Sequence, residues 1–222
     1  MIRSLKFFLL LSLFLILTTF NSNKEKNYKS IFFKIKNINI ENTKVVELVE
    51  LKRDLEFLKG TSLLFLDEVK VIDVIKKYEF IANMRLRKSY PNTVEIKIFE
   101  KKPIAVQVLG NHKFYITEEG EKLIFFNNVF YEDLPLIFGN QKNFSSFFRE
   151  IKQINFASSQ IKAFYYFDIG RWDIVLSNDK IIKLPEKDYM KILMNINSIL
   201  NDKNFSKYRI LDYRIKDQLI LE

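Results

Sequence analysis

Cysteine is absent from the 222-residue chain and histidine occurs once. The first absence removes disulfides, thiolate metal sites and cysteine nucleophiles together. The second leaves a histidine-based triad or a multi-histidine metal site without material. His112 stands beside Gly110 and Asn111 in a turn-like stretch, where a solvated loop histidine is expected. Nor is there a convincing acid/base pair of carboxylates. Glu118, Glu119 and Glu121 surround Gly120 and read as a solvated hairpin turn. A basic stripe is missing too, although the formal net charge is +9 and the pI about 9.4. Lysines are interleaved with acids nearly everywhere, so no nucleic acid is expected as a partner, and without a catalytic constellation no small-molecule substrate is expected either. Lys, Ile, Asn and Phe are heavily used while Ala and Arg are scarce, which an AT-rich coding sequence would produce.

Apolar surface is what the chain has in quantity. At 48% hydrophobic residues it can build one large or two small domains with real cores. After Arg3 and Lys6 comes a run without charge from Phe7 to Phe20, fourteen residues that span roughly 21 Å as a helix, against ~30 Å for a bilayer core. Leu5 and a snorkelling Lys6 close part of that gap. The run suits either the apolar region of a cleaved signal peptide or an uncleaved signal anchor. Phe20 sits where a cleavage site after Ser22 needs a small residue, which favours the anchor. Arg3 and Lys6 place the short amino-terminal end in the cytoplasm and the bulk outside it. The expected organisation is a tail over 1–6, a transmembrane segment over 7–22 and a polar tether over 23–30.

Residues 31–103 read as strand, helix, helix, strand, strand. Phe33, Ile35, Ile38 and Ile40 alternate about a slip at Lys36-Asn37, as in a bulged strand. Val45, Leu48, Leu51, Leu55 and Leu58 share a helical face ended by Gly60. Asp67 is placed to cap a second helix carrying Val71, Ile72, Ile75 and Tyr78. Ala82, Met84 and Leu86 then share one face of a strand, Pro91 presets a turn, and Val94, Ile96 and Ile98 share one face of the next. Two helices on one side of a three-stranded sheet bury all five apolar faces.

Residues 104–222 are mostly β in pattern, with strands expected at 104–109, 113–117, 122–126, 161–169, 172–177, 180–184 and through the final stretch. Two helices interrupt them, a weaker one over 143–154 and a strong one opening at Pro185 and carrying Tyr189, Ile192, Leu193, Ile196, Ile199 and Leu200 on one stripe. An open antiparallel sheet with helices against one face follows from this order.

Six stretches in sequence resemble the FtsQ/DivIB family of bacterial cell-division proteins. Gly60 to Asp67 is similar to the link between the two helices of that family's POTRA domain. Met84 to Pro91, continued by Val94 to Ile98 and Glu100 to Ala105, is similar to its hairpin and the junction into its β domain, with Lys101 where arginine is usual. Leu134 to Gly139 resembles its LPxLxG stretch. Arg171 to Leu176, Leu184-Pro185 and Asp212 to Arg214 resemble its carboxy-terminal signatures. Asn178-Asp179 departs from its usual glycine, Lys216 from a frequent proline, and the cytoplasmic tail is shorter than usual.

The resemblance implies an α+β protein: a transmembrane helix, a POTRA domain (βααββ) over 31–103, and a mainly antiparallel β domain with flanking helices over 104–222. It implies a non-enzymatic single-pass scaffold of the division septum in the inner membrane, with no cofactor or metal. FtsB/FtsL-type partners would bind the β domain and an FtsK-type recruiter the POTRA domain. Asn83, Leu86 and Lys88 fall where the family's POTRA domain contacts its recruiter. In the β domain, Arg171 faces away from the core residue Trp172 and has the composition of an interface residue. Tyr213, Arg214, Ile215, Asp217, Gln218, Leu219, Ile220 and Leu221 are expected to form a last strand whose open edge accepts a partner strand. Asp212 and Arg214 read as an exposed pair. The rival class is a POTRA module of an envelope secretion or outer-membrane assembly system, which usually brings several POTRA repeats or a long β-barrel.

Overall fold

Successive side chains of a strand point to opposite faces, so Val94, Ile96 and Ile98 share one face, and all three are at most 1% exposed in the computed structural model. The structure describes residues 2–18, 32–140, 143–154, 156 and 160–222. The chain divides into two compact units, Met1–Glu100 and Lys101–Glu222.

In the first unit a helix α1 (Ile2–Thr18) covers most of the leading apolar run. Among the described residues no helix is long and apolar enough to cross a membrane. The end of the expected segment, residues 19–22, lies outside the described residues, as does the expected tether. Strand β1 (Asn37–Glu41) follows, then α2 (Leu48–Asp54), a 3-10 turn at Glu56–Leu58, α3 (Glu68–Ile75), β2 (Ile81–Ser89) and β3 (Thr93–Glu100). The sheet order is β1-β3-β2, with β1 parallel and β2 antiparallel to the central strand.

The slip at Lys36-Asn37 takes the form of two successive amides, both donating to the Asn92 carbonyl at 2.9 and 3.2 Å. Gly60 at φ +81 ends the 3-10 turn, and the Asp67 side chain accepts from the Lys70 amide and caps α3. Leu51, Leu55, Leu58, Val71 and Ile75 pack on Val94, Ile96 and Ile98. One expected core residue is displaced. A register shift between Ile81 and Asn83 turns Ala82 outward and puts Ile81 in the core instead. Ile72 is also exposed.

Glu100 closes this unit. Its Oε1 accepts from the amides of Lys44, Val45 and Val46, each at 2.9 Å, and fixes the loop that leads into α2. The acidic residue of the Glu100-Lys101-Lys102-Pro103 cluster is thus a loop clamp.

The second unit is a nine-stranded sheet in the order β12-β11-β10-β9-β8-β7-β4-β5-β6. Its strands are β4 (Pro103–Leu109), β5 (His112–Thr117), β6 (Lys122–Ile124), β7 (Leu136–Phe138), β8 (Ile161–Phe167), β9 (Arg171–Leu176), β10 (Ile181–Lys183), β11 (Ile210–Asp212) and β12 (Ile220–Leu221). Helices α4 (Phe144–Gln153) and α5 (Tyr189–Asn201) pack Phe144, Phe147, Phe148, Ile151, Leu193 and Ile196 against Phe164, Trp172, Ile174 and Ile182. Trp172 lies parallel to Phe147 with ring centroids 4.8 Å apart. Each such ring contributes about 1.5–3 kcal/mol by leaving water.

Three differences from the sequence reading stand out. The sheet is mixed: β7 runs parallel to both β4 and β8, and β10 parallel to β11. Helix α5 starts at Tyr189, because Leu184 still donates its amide to Trp172 and Asp188 turns the chain at φ +61. The final stretch is not one long strand. After β11 the chain loops through residues 213–219, and only Ile220–Leu221 returns as a strand. His112 opens β5 and is exposed. Glu118 and Glu121 are solvated turn residues, in ion pairs with Lys152 and Lys101.

Candidate functional site

The edge of the nine-stranded sheet is built by the shortest strand in it. Ile210 and Glu222 exchange two backbone hydrogen bonds, each amide donating to the other's carbonyl, at 2.9 and 3.2 Å. Antiparallel ladders alternate between pairs that exchange hydrogen bonds and pairs that do not. By that alternation Ile220 bonds Asp212 across the ladder, while Leu221 turns its N–H and C=O away from β11. The outer side of Leu221 therefore faces the open edge.

Beside this edge is a cleft of about 700 Å³, formed by α5, the Pro185–Asp188 turn and the 213–219 loop. It brings together Tyr213, Arg214, Ile215, Asp217, Gln218 and Leu219 with Lys191, Ile192 and Ile199. Tyr213 and Leu219 pack partly on the core, Ile215 is exposed, and Asp217 takes φ +58 in a turn where the Gln218 amide donates to the Ile215 carbonyl. Gln218 is thus a turn residue, not a ladder residue.

A row of charges crosses the helix-free face just inside the edge. Asp173, Lys183 and Asp212 are register neighbours on β9, β10 and β11. The expectation of an exposed Asp212–Arg214 pair is corrected on one side: Asp212 is only 3% exposed, shielded by the guanidinium of Arg214, whose Nε donates to both carboxylate oxygens at 2.8 Å. Those bonds hold the Asp212 carboxyl below the usual carboxylate range, whereas burial pushes that of Asp173 up. Arg171 faces away from Trp172 as alternation requires. Its side chain is nonetheless mostly buried, stacked over Phe167 and 3.5 Å from Asp173, an ion contact without hydrogen-bond geometry.

A stability prediction follows from Asp212. A carboxylate with a lowered folded pKa contributes stability above its unfolded pKa and loses it as pH falls through the folded value. Arg214→Ala is expected to destabilise the second unit by about 1–3 kcal/mol near neutral pH, because a buried carboxylate loses its main partner. The gap to the unchanged chain should be smaller at an acid pH below the lowered folded pKa of Asp212, where protonation removes the charge that Arg214 holds, than at neutral pH. Thermal unfolding at the two pH values measures it; a gap independent of pH would contradict it.

In the first unit, Leu86 and Lys88 lie on the helix side of β2 and Asn83 on the other. Leu86 packs on the core, Lys88 pairs with Glu68 at 3.5 Å, and Asn83 is exposed. The structure therefore does not present the three as one patch. Among the described residues there is no group of three or more His, Asp or Glu side chains that could hold a metal ion.

Comparison with known proteins assigns both units. The family model "POTRA domain, FtsQ-type" matches residues 33–101, and "Cell division protein FtsQ/DivIB, C-terminal" matches 105–214. The chain is similar to proteins named Cell division protein FtsQ. The one from Rickettsia conorii is 28% identical over 209 residues, covering 92% of this chain and 78% of that protein. The one from Rickettsia bellii is 30% identical over 198 residues, covering 86% and 72%. The one from Rhizobium meliloti is 23% identical over 194 residues, covering 86% and 63%. The chain belongs to the FtsQ/DivIB family. Residues 33–101 match its POTRA domain and 105–214 its carboxy-terminal domain, so the rival reading as an envelope-secretion POTRA module gives way. The FtsQ/DivIB match also covers Leu134 to Gly139, where alternation had shown no strand and β7 lies.

Proposed function

We propose that the chain is a non-enzymatic scaffold of the division septum, held in the inner membrane by α1 with its two folded units in the periplasm. FtsB- and FtsL-type partners bind at the β12 edge and the adjoining cleft, and an FtsK-type recruiter engages the POTRA unit along its edge strand β2, the strand that carries Asn83, Leu86 and Lys88. The anchor reading is supported by α1 itself, which has no acidic residue in its first turn and exposes Leu9, Leu10, Leu13 and Phe14. Its seventeen residues reach about 26 Å, and local thinning of a ~30 Å hydrocarbon core accommodates the difference.

The outward backbone groups of Leu221 beside an open cleft are the observation that carries the binding reading. A partner strand pairing there gains main-chain hydrogen bonds, and its side chains reach Ile215, Leu219 and Tyr213 in the cleft. Arg171 and Arg214 contribute by holding Asp173 and Asp212, the two carboxylates that flank Lys183 across β9, β10 and β11 behind the edge.

The test is a pair of proline substitutions. Leu221→Pro removes an outward donor and leaves the ladder to β11 intact, whereas Ile220→Pro removes a donor the fold itself uses. Leu221→Pro is expected to weaken binding of an FtsB-type peptide about tenfold or more, roughly 1.4 kcal/mol, relative to Leu221→Ala, which gives up the same partial core contact but keeps the donor, with the two variants unfolding at similar temperatures. Ile220→Pro should lower stability as well. Wild-type affinity in a folded Leu221→Pro chain rules the mechanism out.

A further inference from the structure

Aromatic side chains usually bury, yet the POTRA unit exposes a group of them at one place. Phe32, Phe33, Phe57, Leu64, Phe65 and Tyr90 are each 42% exposed or more. They are held together by the backbone. The Ser62 hydroxyl donates to the Phe32 carbonyl at 3.0 Å, and the Leu63 amide to that of Phe33 at 2.9 Å. The Phe33 ring meets Tyr90 edge-on at 5.1 Å, and Phe57 and Phe65 line one cleft with Ser62. None of these rings has a role in the POTRA core.

We infer that this patch rests on the membrane, with its aromatic side chains in the lipid headgroup region. The inference rests on the reading of α1 as an anchor. Thirteen residues separate Thr18 from Phe32, a reach of no more than about 45 Å, and Phe32 is where the chain enters the folded unit. The patch is therefore the part of the POTRA unit held nearest the bilayer, where tethering keeps even a weak surface contact at high effective concentration. Amphipathic aromatic rings favour the membrane–water interface. The charge around the patch fits an anionic lipid surface: Lys34 and Lys36 are exposed and make no ion pair among the described residues, while Lys59 and Lys70 offset Glu56 and Asp67.

The chain has no cysteine, so single nitroxide labels can be placed at will. Full-length chain carrying Leu64→Cys, Phe65→Cys, Lys97→Cys or Leu11→Cys is labelled and reconstituted in phosphatidylethanolamine vesicles with phosphatidylglycerol. Accessibility to oxygen is compared with accessibility to a water-soluble nickel chelate. The expected result is an oxygen-to-nickel ratio at positions 64 and 65 several-fold above that at 97, which is exposed on β3, and a smaller ratio once phosphatidylglycerol is left out. A ratio at 65 equal to that at 97, with 11 immersed, overturns the lipid contact and leaves the anchor standing. Nickel access at 11 removes the anchor reading and this inference with it. Protection at 65 that persists in detergent and grows with protein concentration identifies a second copy as the occupant and also overturns it.

Discussion

Ile96→Asp is expected to unfold the POTRA unit while leaving the carboxy-terminal unit folded. Ile96 is 1% exposed on the central strand of the three-stranded sheet, opposite Ile40 on β1 and Leu86 on β2. Helix side chains cover it from the remaining side. Lys88, on the same side of β2, is already paired with Glu68, so a carboxylate at 96 is left uncompensated in the core, at a cost of about 3–5 kcal/mol. A domain of this size holds about 5–15 kcal/mol in total. The neighbouring Lys97→Asp lies on the exposed face and should change stability by no more than about 0.5 kcal/mol. Amide exchange resolves the outcome: protection should vanish across β1, β2 and β3 and persist across β8 and β9. Because a one-residue slip swaps the faces of a strand, full protection in the Ile96 variant and loss in the Lys97 variant would place the register one residue away.

That register was legible because burial on one face leaves a period of two in the sequence, and helix caps such as Asp67 are local chemistry. Three features had no such signature. Parallel pairing of β1 with β3, and of β7 with β4 and β8, depends on which strands meet, and alternation carries no partner information. Strand β7 is three residues long, too short to alternate visibly. The bulge at Ala82 inverts its faces without a glycine to announce it. The tail misled for a different reason. Tyr213, Ile215, Leu219 and Leu221 alternate as a strand would, and three of them do pack on the core. Burial is what the pattern encodes there; the ladder is broken by the turn at Ile215 to Gln218, and the result is a cleft instead of a long edge. The cleft itself depends on α5 packing across that loop, so composition alone could not show it.

Gly139→Ala is expected to destabilise the carboxy-terminal unit by about 3 kcal/mol or more, at the upper end of ordinary single substitutions. Gly139 ends the Leu134 to Gly139 stretch at φ +94, a region that L side chains rarely adopt. A Cβ there would stand 2.5 Å from the carbonyl oxygen of Tyr166 and 3.3 Å from its carbonyl carbon. Neither side can move away cheaply. Tyr166 is fixed on β8 opposite Trp172, whose ring stacks on Phe147, and the Gly139 carbonyl accepts from the side chain of buried Gln107 at 2.9 Å. Gly110→Ala separates the two causes, since Gly110 also has positive φ, +56, but nothing within 4 Å of the added carbon. It should cost only about 1 kcal/mol, the conformational part alone. Thermal unfolding of the two variants side by side isolates the steric remainder. Equal losses would mean that β8 yields to the methyl group; a much larger loss at Gly139 shows that the glycine is required by the close approach of the chain after β7 to β8, the parallel neighbour on which the middle of the sheet is built.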